Sequence, residues 1–268
     1  MIDSHVHLDR HEFAGESPAV IERARAAGVT GFLNVGYDLD SSRASLALAT
    51  ASPDIWATVG VHPHDALQLA DEDGRLHAGG RGLLGELASL AGDPRVVAIG
   101  EIGLDYFRDL SPRPAQRAAL AAQLELAATV GTPVVFHDRD AWSDLMAFVD
   151  ACGLPPRRGV LHAFSGDEAA VDWALARGLR LGIGGVVTYR QSTLPAMVAR
   201  AGIAPLLLET DAPWLPPVPH RGERNEPARL RLVLDKVAGI LQMEPGEVER
   251  RTDAGFAGLF LDRGDAAP

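Results

Sequence analysis

Long apolar runs are missing from this 268-residue sequence. None approaches the ~18 residues that a membrane span requires, and the first residues lack the basic-then-apolar layout of a secretory leader. Cysteine is almost absent. Cys152 stands alone, which excludes an internal disulfide. With Phe148, Val149 and Leu154 around it, this thiol is expected to be buried or half-buried near a helix end, and a reducing cytoplasm suits such usage. Positive charge is scarce too. Twenty-five Lys and Arg against 36 Asp and Glu leave a formal charge of −11, which argues against a broad basic face that wraps nucleic acid. A small phosphate-binding cleft remains compatible, because bound divalent cations change the local sign. No repeat, low-complexity stretch or linker stands out. One domain over residues 1–268 is therefore expected, with 263–268 as a frayed tail.

Hydrophobic residues make up 47% of the chain, enough for a sizeable core. Short apolar, β-branched runs alternate with helical patterns. Strands are expected near Ile2–His7, Gly31–Gly36, Ile55–His62, Val96–Gly100, Pro133–His137, Gly159–His162, Leu179–Gly184 and Leu206–Glu209. Several are apolar almost throughout, as in strands covered on both faces. Between them, Ser17-Pro18 opens a helix that Gly28 closes. Further helices are expected around Arg81–Ala91, over Pro114–Val130, over Ala141–Ala151, from a capping box at Ser165–Glu168 to Arg177, from Pro227 to about Gln242, and near Pro245–Leu261. Eight strands with intervening helices predict a TIM (β/α)8 barrel of the α/β class. An open doubly wound sheet is the alternative, and the lack of a Gly-x-Gly-x-x-Gly after the first strand weighs against it.

Polar residues collect at the strand ends. His5 and His7 end the first strand, two residues apart and so on one face. His62 and His64 end the third, Glu101 the fourth, His137 the fifth and His162 the sixth, while Asp211 follows the eighth. A barrel brings such positions together at the C-terminal ends of its strands. A lone strand-end histidine is ordinary, and Asp211 alone could cap a turn before Pro213. Their co-occurrence points to one shared metal site. Glu101 lies in an apolar stretch where an unpaired carboxylate is costly. Mixed imidazole and carboxylate ligands suit Zn, Mn, Co, Ni or Fe, and serve Mg when waters complete the shell. A carboxylate such as Glu101 can bridge two cations, and Asp211 is placed to hold the attacking water and take its proton.

The order of motifs carries a resemblance. Ile2-Asp3-Ser4-His5-Val6-His7-Leu8-Asp9 is followed by Gly60-Val61-His62-Pro63-His64, Ile99-Gly100-Glu101-Ile102-Gly103-Leu104-Asp105-Tyr106 and Pro133-Val134-Val135-Phe136-His137. Leu161-His162-Ala163-Phe164-Ser165-Gly166, Glu209-Thr210-Asp211-Ala212-Pro213-Trp214-Leu215, Arg221-Gly222 and Asn225-Glu226-Pro227 complete it. Over nearly its whole length the chain resembles the TatD-family metal-dependent hydrolases, a branch of the amidohydrolase-like barrel enzymes. The resemblance implies two divalent metal ions, Mg or Mn in most members. His5, His7, Glu101 and Asp211 would bind one, and Glu101, His137 and His162 the other. It implies a DNase, with 3′→5′ exonuclease action on single-stranded DNA as substrate. His62 and Arg139 would lie near the substrate phosphate, and Arg221 would support the Pro-rich turn. The family often has Cys where Ala163 stands and Asn near Gly255, and neither position is a proposed ligand.

Among the aromatic residues, Tyr106 and Trp214 are candidates to stack bases because each lies just after a proposed ligand. Phe107, Trp142 and Tyr189 are expected to pack at the core or rim. Asp9 is expected to support the site without ligating, and His11, His77 and His220 to be surface residues. A metal-dependent ester or amide hydrolase, such as an aminoacyl-tRNA deacylase, uses the same ligand set. A non-catalytic binding module would have no need of an open metal site. A monomer in the cytoplasm, away from membranes, is the expected form.

Overall fold

The computed structural model describes residues 1–262. The tail expected at 263–268 lies outside the described residues. All eight expected strands form: β1 (Ile2–Val6), β2 (Gly31–Asn34), β3 (Ile55–Val59), β4 (Val96–Asp105), β5 (Val134–Arg139), β6 (Gly159–Leu161), β7 (Arg180–Ile183) and β8 (Leu206–Leu208). Each pairs in parallel with the next, in sequence order from β1 to β8. This order excludes the doubly wound alternative, in which the strand order reverses at a switch point. The ring closes just beyond the end of β8. Val6 bridges Ala212 in parallel, the Asp211 N–H donates to the His5 carbonyl at 2.9 Å, and the His7 N–H donates to the Ala212 carbonyl at 2.9 Å. The architecture is the expected (β/α)8 barrel.

Side-chain alternation decides what faces inward. Leu33, Val35, Val97, Val135, Val160 and Leu207 form one buried cluster with Phe256, Leu259 and Phe260. These C-terminal side chains therefore pack with strand residues of one parity, except in β4, where the adjacent Val97 and Ala98 both join the cluster. The opposite parity, including Phe32, Phe136, Leu161, Leu181 and Leu206, packs with the surrounding helices in a second cluster. His137 lies two residues past Val135, His162 two past Val160, and Glu209 two past Leu207. Inward-facing positions change from aliphatic to ionisable toward the C-terminal end of the barrel.

The helices are α1 (Ser17–Ala26), α2 (Leu39–Ala51), α3 (Ala78–Ala91), α4 (Arg113–Val130), α5 (Trp142–Cys152), α6 (Glu168–Ala176), α7 (Leu194–Ala201), α8 (Leu230–Leu241) and α9 (Pro245–Phe256). Neither α2 nor α7 is legible in the sequence. The buried face of α2 is Ser41, Ser42, Ser45 and Ala49, so it shows no apolar stripe, although Asp38 and Ser41 form a capping box at its start. The eight residues of α7 bury Leu194, Met197 and Val198, too short a run for periodicity to reveal.

Several local expectations are corrected. Ser17 is not the cap of α1; its hydroxyl donates to the Leu8 carbonyl at 2.7 Å. The cap of α6 is Asp167, which accepts from the Ala170 N–H, rather than Ser165. His77 does more than face solvent, because its Nδ1 accepts the Gly80 N–H and caps α3. Cys152 is exposed, not buried. The inward residues of α5 are Leu145 and Val149, and Cys152 is its last residue, where the chain turns off through Gly153 at φ 83°. Among the described residues no helix is long and apolar enough to cross a membrane.

Candidate functional site

Six ionisable side chains meet at the C-terminal end of the barrel, and they are the six that the sequence singles out as ligands. The His5 Nε2 lies 3.1 Å from the His7 Nε2. It is 3.5 Å from the Glu101 Oε2 and 3.8 Å from the Asp211 Oδ1. The His7 Nε2 is 3.7 Å from the same Asp211 oxygen and 3.9 Å from the same Glu101 oxygen. The other oxygen of Glu101, Oε1, faces the His137 Nδ1 at 2.7 Å and the His162 Nε2 at 2.8 Å. One carboxylate thus turns one oxygen toward each of two histidine pairs. All six are buried apart from His137, which is partly exposed.

Backbone geometry sets these positions. The register of β4 against β5 shifts between Ile99 and Ile102, and the Glu101 N–H leaves the ladder to donate to the Gly36 carbonyl at 2.7 Å. Gly103 has φ 156°, and a Cβ there would lie 1.9 Å from the His137 carbonyl oxygen. Only glycine allows β5 to approach closely enough to bring His137 to Glu101. Asp211 has φ 54° where the chain leaves β8.

The donor chemistry fits divalent cations. The His7 Nδ1 sits 3.1 Å from the Val35 carbonyl oxygen, which can only accept. Neutral His7 therefore carries its proton there and presents a lone pair at Nε2, as a ligand must. The His137 Nε2 is held at 3.1 Å by the Asp105 Oδ2, which leaves Nδ1 to face Glu101. Donor atoms of His5, His7 and Asp211 converge closely enough to hold one ion. His62, Glu101 and His137 converge in the same way, but His62 has a different role open to it. Its Nδ1 accepts the His64 N–H at 3.1 Å, so the neutral ring has its proton on Nε2, which lies 3.5 Å from the Glu101 Oε1. His62 is built to donate a hydrogen bond into the site.

Burial and the clustered carboxylates set the electrostatics: against burial, Asp105 and Glu101 raise His137 above the usual imidazole range, and Glu101 and Glu209 raise His162 well above it. Burial pushes the Asp211 carboxyl up to about 8, with Glu101 and Glu209 adding to the rise against His162. Burial lowers His5 and drives His7 well below the usual imidazole range. It also brings His62 down to about 4. Burial opposes ionisation of Glu101, but His162, His62 and His137 outweigh it and hold the carboxyl well below its ordinary value.

Two further carboxylates in the site have no role assigned from sequence. Asp105 uses Oδ2 to hold both His137 and His64, the latter at 2.9 Å. Glu209 is fully buried, accepts the Ala163 N–H at 2.6 Å and lies 3.6 Å from the His162 Nδ1. A Cβ on Gly182 would collide with it at 2.1 Å. The signal for Asp105 is parity: Glu101, Gly103 and Asp105 alternate onto one face. Glu209, two residues past Leu207, carries the same signal.

A cavity of about 610 Å3 opens above the cluster, lined by His7, Arg10, His62, Arg139, Asp211 and Trp214 among others. Tyr106 is turned to the rim, with its hydroxyl on Asp144 at 2.8 Å and the Arg113 guanidinium over its ring. Trp142 packs on Phe164, and the Tyr189 hydroxyl donates to the Pro216 carbonyl. Arg221 lies over the Tyr189 ring. Asp9 accepts from Asn34 at 2.9 Å. His11 and His220 face solvent beside Glu12 and Glu223.

The sequence profile of the TatD-related DNase family matches residues 2–261. The chain is 38% identical over 273 residues to the Cronobacter sakazakii protein named 3′-5′ ssDNA/RNA exonuclease TatD, with both chains covered in full. It is 32% identical over 263 residues to a Bacillus subtilis protein named uncharacterized metal-dependent hydrolase YabD, covering 97% of this chain and 98% of that one. Among solved structures, the TatD homologue YjjV of Escherichia coli aligns with a TM-score of 0.87 at 31% identity, covering 97% and 98% of the two chains.

Proposed function

The chain belongs to the TatD-related DNase family, and we propose that it removes nucleotides from the 3′ end of single-stranded DNA using two divalent cations, Mg or Mn. The observation that carries this reading is the Glu101 carboxylate, with Oε2 toward His5 and His7 and Oε1 toward His137 and His162. In this reading His5, His7, Glu101 and Asp211 hold one cation, and Glu101, His137 and His162 hold the other. Bound there, divalent cations polarise a phosphoryl oxygen and acidify water.

The protein's own groups supply the rest. Asp211 orients the attacking water and accepts its proton as the water oxygen bonds to phosphorus. His62 donates its Nε2–H to a non-bridging phosphate oxygen, and Arg139 offers a guanidinium to a neighbouring phosphate. The bond from phosphorus to the 3′ oxygen breaks, and that oxygen takes up a proton. The products are a 5′-nucleotide and a strand shortened by one residue. All proposed ligands come from one chain, so a monomer suffices. The lone exposed thiol of Cys152 suits the reducing cytoplasm.

The test is digestion of 3′-labelled and 5′-labelled single-stranded DNA by chelator-stripped protein, with Mg2+ or Mn2+ added back. Metal-dependent shortening from the 3′ end, lost in Glu101→Ala, is the expected result. No cleavage with either metal, together with hydrolysis of an aminoacyl ester, would overturn it in favour of an ester hydrolase.

A further inference from the structure

Aromatic rings stand on two sides of the donor cluster, and each has a guanidinium on one face. The Arg10 guanidinium carbon lies 5.2 Å from the ring centre of Trp214, which follows β8, and 5.1 Å from that of Tyr37, which follows β2. The Arg139 guanidinium carbon lies 3.9 Å from the ring centre of Phe107, which follows β4. In a ring of eight strands in sequence order, the seam between β8 and β1 and the seam between β4 and β5 are four strands apart. The two arginine–aromatic pairs therefore lie on opposite sides of the barrel mouth; Arg10, Trp214 and Arg139 line the cavity above the cluster, and Phe107 stands just outside that lining, against Arg139.

An exposed apolar ring by itself means little. Here Phe107 remains 55% exposed and Trp214 39% exposed, whereas Tyr106 is tied down by Asp144 and Arg113. Both exposed rings are also anchored to the site through their backbones. The Trp214 N–H donates to the Asp211 carbonyl at 2.8 Å, and Asn225 donates to the Trp214 carbonyl at 2.8 Å. The Phe107 N–H donates to the Asp105 Oδ1 at 3.1 Å, and the Arg108 N–H donates to the same oxygen at 2.7 Å. The other oxygen of Asp105 holds His137 and His64. Each platform is thus positioned by a residue of the cluster or by a residue that holds one. Such anchoring makes a preorganised binding surface. Arg10, Arg108 and Arg139 add positive charge around the cavity in a chain of net charge −11.

Building on the nuclease reading, we propose that Trp214 and Phe107 stack the two bases that flank the scissile phosphodiester. The unit recognised is then an unpaired dinucleotide step, splayed so that its bases lie on opposite walls and its phosphate over the cluster. Every base has a π face, so such stacking tolerates any sequence. Paired bases cannot splay in this way, which selects single strands.

The experiment compares the wild-type enzyme, Phe107→Ala and Trp214→Ala on three single-stranded oligonucleotides: intact, abasic at the 3′-terminal nucleotide, and abasic at the preceding one. Removing either base is expected to cost the wild type about tenfold in kcat/KM, carried mainly by KM. Phe107→Ala should lose about tenfold on the intact strand but little more when one of the two bases is missing. Trp214→Ala should show the same insensitivity to the other base. Phe107→Tyr and Trp214→Phe should recover most of the rate. The proposal is overturned if the wild type is indifferent to both abasic positions, or if the alanine variants lose equally on all three strands. Failure of the wild type to cut the intact strand would instead refute the nuclease reading beneath it.

Discussion

Asp211 donates its backbone N–H to the carbonyl of His5 at 2.9 Å, so the hydrogen bond that closes the barrel joins two of the candidate metal ligands. The His7 N–H returns to the Ala212 carbonyl at the same distance. Closing the ring between its last and first strands and assembling one half of the site are one event. The buried Asp3 carboxylate reinforces this seam. It accepts the Thr210 N–H at 2.9 Å, the Thr210 hydroxyl at 2.6 Å and the His5 N–H at 3.3 Å.

Asp3→Ala should therefore weaken the fold and the site together. Each buried donor left unpaired costs about 1–3 kcal/mol, so the urea midpoint should fall clearly. Asp3→Asn keeps one acceptor oxygen and should recover part of the loss. Equal midpoints for the wild type and Asp3→Ala would show that the seam does not depend on this carboxylate.

Asp105 should act on the metals without touching them. It holds the far nitrogen of His137, and loss of such a partner lowers metal affinity or activity by about 10–100-fold. Titration of Asp105→Ala with Mn2+ should show that weakening while far-ultraviolet circular dichroism stays native. Unchanged affinity would mean that Glu101 alone orients His137.

Gly103→Ala should be among the most damaging single-methyl additions. Its Cβ would lie 1.9 Å from the His137 carbonyl oxygen, at φ 156°. Overpacking costs about 1–3 kcal/mol, and a backbone conformation disfavoured for alanine adds to that. The melting temperature should drop, and β5 should shift away and carry His137 with it. Gly239→Ala, which meets nothing within 4 Å inside α8, is the control.

The strands were legible because their interiors are β-branched runs, and the meeting of the six candidate ligands because barrel strands expose their C-terminal ends to one site. What the sequence hid follows from departures from regular structure. In the sequence the apolar run of β4 stops at Gly100, yet the strand continues to Asp105. Gly100 reads as the strand end, but it and Gly103 are points of close approach to β5. That misreading concealed the shared face of Glu101 and Asp105. Tyr106 and Phe107 differ in a way that the sequence does not show: Tyr106 is held by Asp144 and Arg113, and Phe107 is the more exposed ring. Composition cannot distinguish neighbours in a turn whose geometry a carboxylate sets. The sequence pattern puts His62 at the end of β3, but the strand stops at Val59, and the His62 N–H donates to the Tyr37 carbonyl instead.

Glu226 gives a pH dependence away from the cluster. Arg23 donates two hydrogen bonds to it at 2.8 Å, and Arg224 adds one at 3.0 Å. Arg23 lowers its pKa against partial burial, with Arg224 assisting. A depressed carboxyl stabilises the fold above its unfolded pKa of about 4.5, and that contribution is lost as pH falls toward the folded value. The urea midpoint of the wild type should exceed that of Glu226→Gln at pH 6, and the gap should close at pH 3. A gap independent of pH would assign the stabilisation to packing.

The most direct test of the central claim is anomalous diffraction at the manganese edge from crystals soaked in Mn2+. Two peaks flanking the Glu101 carboxylate are predicted, one beside His5, His7 and Asp211 and the other beside His137 and His162. No peak at the cluster, or two peaks that share no carboxylate, would contradict the account.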